Sequence, residues 1–162
     1  MTAASLELSL GPVSFYWTRE RYFAFYEQAC HWPLTSVILG ETVCSRRRDM
    51  KLADWLEIGH QLAAAGKQVI LGSQTLIESN ADLRDLTKLC DNGDFLVEAN
   101  DMSAVHRLSE AGLPFVGGPA LNLYNVPTLE ILKRAGMFRF VAPVELPGAD
   151  LARLLADARE AG

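Results

Sequence analysis

Several signatures that would assign this chain to a class are missing from it. It has three cysteines in 162 residues and no Cys-x-x-Cys pair, which excludes a disulfide framework and a self-contained zinc site. No apolar run approaches the roughly 20 residues that a membrane-spanning helix needs. The N-terminus, MTAASLELSLGPVSF, lacks the basic start and apolar stretch of a secretory signal. No Gly-x-Ser-x-Gly elbow, phosphate-binding loop, His-Glu-x-x-His pair or dinucleotide glycine fingerprint occurs. Positive charge is also scarce. Fifteen Lys and Arg against twenty Asp and Glu leave a formal charge of −5, which gives no general attraction to nucleic acid or anionic lipid. These absences fit a cytoplasmic protein.

What is present is an ordinary core composition, 49% hydrophobic and 22% charged, together with one recurring pattern. An amphipathic segment ends in Ala-Gly or Asn-Gly, and a short β-rich run follows. The pattern occurs at Ala63–Gly72, Cys90–Ala99, Ser109–Gly118 and Lys133–Pro143. Glycine just past a helix end takes the left-handed conformation that closes the helix, so each junction has a physical cause. With the runs Leu8–Trp17 and Ser36–Gly40 added, the chain offers about six strands at the pitch of β/α units. Most are continuous apolar runs, as expected of parallel strands covered on both faces.

The segments between carry helical periodicity. Tyr22, Phe25, Tyr26 and Ala29 share one face, and Leu52, Trp55, Leu56, Leu62 and Ala63 share the next. Leu83, Leu86 and Leu89 mark a third helix, Val105 and Leu108 a fourth, and Leu129 and Leu132 a fifth. The last row is Leu151, Leu154, Leu155 and Ala158, and it runs into Ala161-Gly162, a junction with no strand after it. The expectation is an α/β protein of repeated βα units. About six parallel strands would form an incomplete TIM-like barrel, in a single domain over 1–162 truncated at its C-terminus. A doubly wound six-stranded sheet is the alternative.

In either architecture chemistry gathers where strands end. That rim carries Glu41 and Cys44, Gln74, then Glu98, Asn100 and Asp101, then Asn122 and Asn125, and Glu145. Helix capping alone accounts for Asn100, Asp101 and Asn125. The three glutamates either converge on one mouth or stand apart as solvated acids. Cys44 differs from Cys30 and Cys90, which read as core or structural thiols. It follows an apparent strand and precedes Arg46-Arg47-Arg48, where positive charge favours a thiolate. Such a thiolate serves as nucleophile, redox sensor or soft-metal ligand. The arginines are either solvated or recognise a carboxylate. His31, His60 and His106 stand far apart and match no zinc spacing.

Seven blocks of the chain resemble the collagenase-like peptidase family, in particular its branch acting in anaerobic ubiquinone biosynthesis. They are LGPVSFYW at Leu10–Trp17, LGETVCSRRR at Leu39–Arg48, DWLE at Asp54–Glu57 and GKQVILGSQTLI at Gly66–Ile77. They continue with NGDFLVEAND at Asn92–Asp101, LPFVGGPALNLYN at Leu113–Asn125 and TLEILKRAGMFRFVAPVEL at Thr128–Leu146. The resemblance implies a barrel-like β/α fold and an oxygen-labile 4Fe-4S cluster held by four cysteines, of which Cys44 matches the first. It also implies a heterodimer with a UbiU-like protein among other quinone-biosynthesis proteins, in an oxygen-independent ring hydroxylation. Peptidase action, RNA modification and a non-catalytic scaffold are the other activities the family suggests. Cys30 and Cys90 do not match the remaining cluster positions, so the resemblance gives this chain Cys44 alone as a metal ligand.

Overall fold

Four of the helices begin where a side chain accepts from the free amides of the first turn. In the computed structural model, which describes residues 7–160, Thr18 caps α1 (Arg19–Ala29). Ser79 caps α3 (Asn80–Cys90), and Asp82 completes a reciprocal capping box there. Asp101 caps α4 (Met102–Glu110) and Asn125 caps α5 (Val126–Arg134). The second helix, α2 (Leu52–Ala64), is opened by Asp54, whose carboxylate accepts from the Lys51 amide at 2.8 Å. The helix ends are equally local: Gly66, Gly93, Gly112 and Gly136 all have positive φ at the four repeated junctions. The final junction involves Ala161 and Gly162, which lie outside the described residues. The last helix, α6, spans Gly148–Glu160.

The strands are β1 (Ser9–Leu10), β2 (Ser36–Leu39), β3 (Gln68–Gly72), β4 (Leu96–Ala99), β5 (Phe115–Gly117) and β6 (Met137–Phe140). They form one sheet in the order β1-β2-β3-β4-β5-β6, and every adjacent pair is parallel. A doubly wound sheet requires a reversal of strand order, and this sheet has none. The sequential order and the right-handed sense of βα crossovers put the helices on one face, so the sheet curls into a half-barrel. The expected incomplete TIM-like barrel is therefore the fold. The first strand is shorter than the run Leu8–Trp17 suggests. Pairing stops at Leu10, followed by Gly11 and by Pro12, which has no amide to donate.

Alternation along each strand separates two surfaces. On the concave side Ile38, Ile70 and Val116 form a small cluster with Leu96 and Val141. Arg139 of β6 donates through Nη1 to Gln68 Oε1 of β3 at 3.0 Å, two strands being skipped. That reach requires a strongly curled sheet. On the convex side the core falls into two parts. Val37, Leu39, Val69 and Leu71 pack under Tyr22, Tyr26, Trp55, Ile58 and Leu62 of α1 and α2. Val97, Ala99, Phe115 and Met137 pack under α3 to α6, against residues such as Leu86, Val105, Leu108, Leu132 and Leu154. The ring of Trp55 meets Tyr22 edge-on, with centroids 5.2 Å apart.

The end of β2 is the tightest point of the frame. Gly40 has φ +138°, and a Cβ placed on it would lie 2.6 Å from the carbonyl oxygen of Gly72. The neighbouring backbone cannot yield as a side chain would. Gly40→Ala is expected to cost about 2–4 kcal/mol of stability, from backbone strain added to the clash. Urea unfolding measures it, and a midpoint equal to that of the parent protein contradicts this account of the turn.

Candidate functional site

Beyond Gly40 the chain enters the long β2–α2 loop, and Glu41 gives that loop its shape. Its Oε1 accepts from the amides of Val43 at 3.0 Å and Cys44 at 3.1 Å. A tight turn follows, in which the Arg47 amide donates to the Cys44 carbonyl at 3.1 Å. The Arg47 guanidinium lies 3.7 Å from Glu41 and donates to the Ser14 carbonyl at 3.0 Å, which ties the loop to the segment before α1. The three arginines thus have separate situations. Arg46 is exposed, Arg47 is structural, and Arg48 borders a cleft. Cys44 is half-buried in the middle of this loop.

The cleft has a volume of about 500 Å³ and lies between the N-terminal half of α2 and the face of α3. Its upper wall comes from the ends of β2 and β3, with Gly40, Gly72, Ser73 and Gln74. It exists because the helices pack in pairs, α1 with α2 and α3 with α4, so α2 and α3 stand apart. Trp55, Ile77, Leu86 and Leu89 make an apolar floor, and Arg48, Lys51 and Lys88 lie on the rim. Three carboxylates also border it, and all are engaged. Glu41 holds the loop amides, Asp85 pairs with Lys88 at 3.2 Å, and Asp82 accepts from the Glu78 and Ser79 amides. The Ser79 hydroxyl is the chief cause that lowers the Asp82 pKa, with those amides adding to it. Of the residues expected at the rim, Glu41 and Gln74 line the cleft. The helical row of Trp55 was legible in the sequence, but its place on the floor depends on the gap between two helices.

A second polar feature lies within the half-barrel. Glu98 belongs to β4 itself and is 2% exposed. One oxygen accepts from Asn100 Nδ2 at 3.0 Å, and the other, Oε2, has no hydrogen-bond partner. Asn100 also donates to the Ser73 carbonyl through Nδ2 at 3.2 Å and to Ser73 Oγ through its amide at 2.8 Å. Asn100 is therefore a buried cross-strand clamp, whereas Asp101 and Asn125 are the helix caps expected of them. Burial pushes the Glu98 carboxyl above its ordinary pKa, opposed in part by the Asn100 donor.

The three glutamates do not form one cluster. Glu41 serves its loop, Glu98 is inside the sheet, and Glu145 accepts a hydrogen bond from the exposed Tyr124 hydroxyl. That hydroxyl lowers the Glu145 pKa, while its own is raised. Asn122 takes a left-handed conformation, φ 56°, at the end of the short turn Pro119–Leu121. Cys30 donates its thiol to the Tyr26 carbonyl at 3.3 Å, and burial raises the Cys90 pKa to about 11. His60 and His106 lie at 3.4 Å from Asp94 and Glu110 respectively, on helix surfaces. Among the described residues, no group of three or more His, Cys, Asp or Glu side chains is placed to hold a metal ion. A cubane takes a thiolate on each of four irons, and Cys44 is the one loop thiol free of such a structural role. The donors described here do not fit a 4Fe-4S cluster on this chain alone.

No protein-family model matches the chain. No solved structure matches it either. No helix among the described residues is long and apolar enough to cross a membrane.

The buried Glu98, with one carboxylate oxygen lacking a partner, gives a pH dependence of defined sign. Its folded pKa is raised, so both states are protonated below the unfolded value of about 4.3. Above that value the unfolded chain ionises first, and the native protein loses stability until Glu98 itself ionises. Glu98→Gln removes this loss. Relative to the parent protein, the variant is expected to gain stability as pH rises from about 4.3 and to level off above the folded pKa. Urea unfolding of both proteins across this range checks it, and a stability difference independent of pH refutes it.

Proposed function

We infer that this chain is a UbiV-like member of the collagenase-like peptidase family, acting with a UbiU-like partner in the oxygen-independent hydroxylation step of ubiquinone biosynthesis. The observation that carries the reading is the position of its most specific block. Val43-Cys44-Ser45-Arg46-Arg47-Arg48 occupies the β2–α2 loop at the strand C-terminal rim of a sequentially ordered half-barrel. In βα barrels that rim is where catalytic and binding groups collect. The loop is held from two sides, by Glu41 on its amides and by Arg47 on Ser14, so the thiol of Cys44 is presented from an ordered support.

On this reading Cys44 supplies one of four thiolates to a 4Fe-4S cluster, and the other donors come from outside this sequence. No reaction step is assigned to the cluster. The residues of this chain position the cysteine: Glu41 fixes the Cys44 amide, and the Arg47–Cys44 turn fixes its carbonyl. Of the remaining blocks, Leu10–Trp17, Gly66–Ile77, Asn92–Asp101 and Leu113–Asn125 each run through the end of a strand into the loop after it and contribute to the same rim. The β6 end of Thr128–Leu146 does so too, whereas Asp54–Glu57 lies within α2.

Two measurements test the reading. Protein made from the natural gene and purified without oxygen is expected to show broad iron–sulfur absorption, and Cys44→Ala is expected to lose it. Unchanged iron content in that variant removes Cys44 from the ligand set. Deletion of the gene is expected to abolish quinone synthesis without oxygen and to spare it in air. Normal anaerobic quinone with a defect in RNA base modification transfers the chain to the RNA-modifying alternative.

A further inference from the structure

The crevice between α2 and α3 shares Glu41 and Arg47 with the loop that presents Cys44 but does not include the thiol itself, and its lining is chemically two-sided. We propose that it is a binding site for a small carboxylate with an apolar body, the carboxylate held by Arg48 and Lys51 and the body lying on Trp55, Leu86 and Leu89.

Volume and composition come first. About 500 Å³ is within the range of small-molecule sites, roughly 300–1,000 Å³. The floor is apolar, and its members belong to the two convex clusters: Trp55 to one, Leu86 to the other, with Leu89 packing against both. An apolar ligand body would replace the contact that two adjacent helices ordinarily make with each other.

Charge then selects the other end of the ligand. Seven charged residues border the cleft, but they do not cancel. Glu41, Asp82 and Asp85 are committed to loop amides, a capping box and Lys88. Arg47 is committed to Glu41 and Ser14. Arg48 and Lys51 form no ion pair among the described residues, although Lys51 contributes to the field that lowers the Asp54 pKa. The carboxylate of Asp54 is itself taken by Arg19, at 2.9 and 2.7 Å. Arg48 and Lys51 are therefore without a carboxylate partner on the rim, and four cations against three carboxylates leave the lining net positive. The first turn of α2 opens beside them with Leu52 and Ala53, whose amides have no acceptor within the helix, and its dipole adds to the same field. A planar guanidinium beside an ammonium suits a carboxylate better than a diffuse anion.

The test uses the whole chain and 1-naphthoate as probe, read by calorimetry and by amide chemical shifts. Saturable binding is expected at millimolar concentration or below, with the largest shifts at Leu52 and Ala53. The uncharged 1-naphthylmethanol and the apolar-poor succinate are each expected to bind about tenfold more weakly or worse, since each lacks one half of the ligand. The doubly substituted Arg48→Gln, Lys51→Gln protein, altered only at surface side chains, is expected to lose about tenfold or more for 1-naphthoate while unfolding like the parent. The proposal is overturned by no saturable binding, by shifts that leave Leu52 and Ala53 unmoved, by equal affinity for the neutral analogue or for succinate, or by unchanged affinity in the double variant. None of these results depends on the iron content of Cys44 protein, so the two readings fail separately.

Discussion

Strictly sequential parallel pairing is the constraint on which the rest of this protein depends. A parallel strand must return to the same end of the sheet before it can pair again, and here each return is made over one face. That requirement fixes the one-sided helical layer, the curl of the sheet and the gathering of all strand C-terminal loops on a single rim. It also explains why the convex strand positions are so apolar: Val37, Leu39, Val69 and Leu71 have helices over them along their whole length. The concave positions are fewer and more mixed, from Ile38 and Ile70 to Glu98 and Arg139.

The same layer produces the cleft. Six helices on one face of a curled sheet need not be evenly spaced. The aromatic packing of Tyr22, Tyr26 and Trp55 holds α2 towards α1, and the Arg107–Asp91 pair at 2.7 Å secures α4 against the end of α3. Both preferences leave the α2–α3 boundary open, just beside the loop that carries Cys44. Two chemically different features, a presented thiol and a cationic apolar crevice, therefore share one part of the rim for reasons of helix packing.

Much of this was legible in the sequence because it rests on local causes. The four glycine junctions, the helix caps at Asp101 and Asn125 and the apolar strand runs each follow from a few adjacent residues, and together they give the βα repeat. Glu98 was misplaced as a rim acid because a glutamate in an apolar run looks like the end of the strand. Its partner Asn100 looked like a cap because a neighbouring Asp holds that position one residue later. The extent of β1 was overstated because nothing in SFYW signals that pairing has already ceased at Gly11-Pro12. The cleft had no sequence signal at all. It depends on the distance between two helices, which no periodicity records, and on which carboxylates are already engaged.

One consequence of the divided convex core concerns how the protein opens. Among the described residues Leu89 alone packs against both clusters. The seam continues into the sheet, where β3 and β4 are joined over three registered pairs, Ile70–Leu96, Leu71–Val97 and Gly72–Glu98. Units that bury separate cores and meet across a narrow seam exchange their amide protons in separate steps. Such separate opening is expected of the α1–α2 and α3–α6 sides of the helical layer, while the Asn100–Ser73 bonds and the concave cluster of Ile38, Ile70, Leu96 and Val116 tie the strands beneath them. The Arg139–Gln68 bond joins the two sides again across the concave face, as a latch set opposite the crevice.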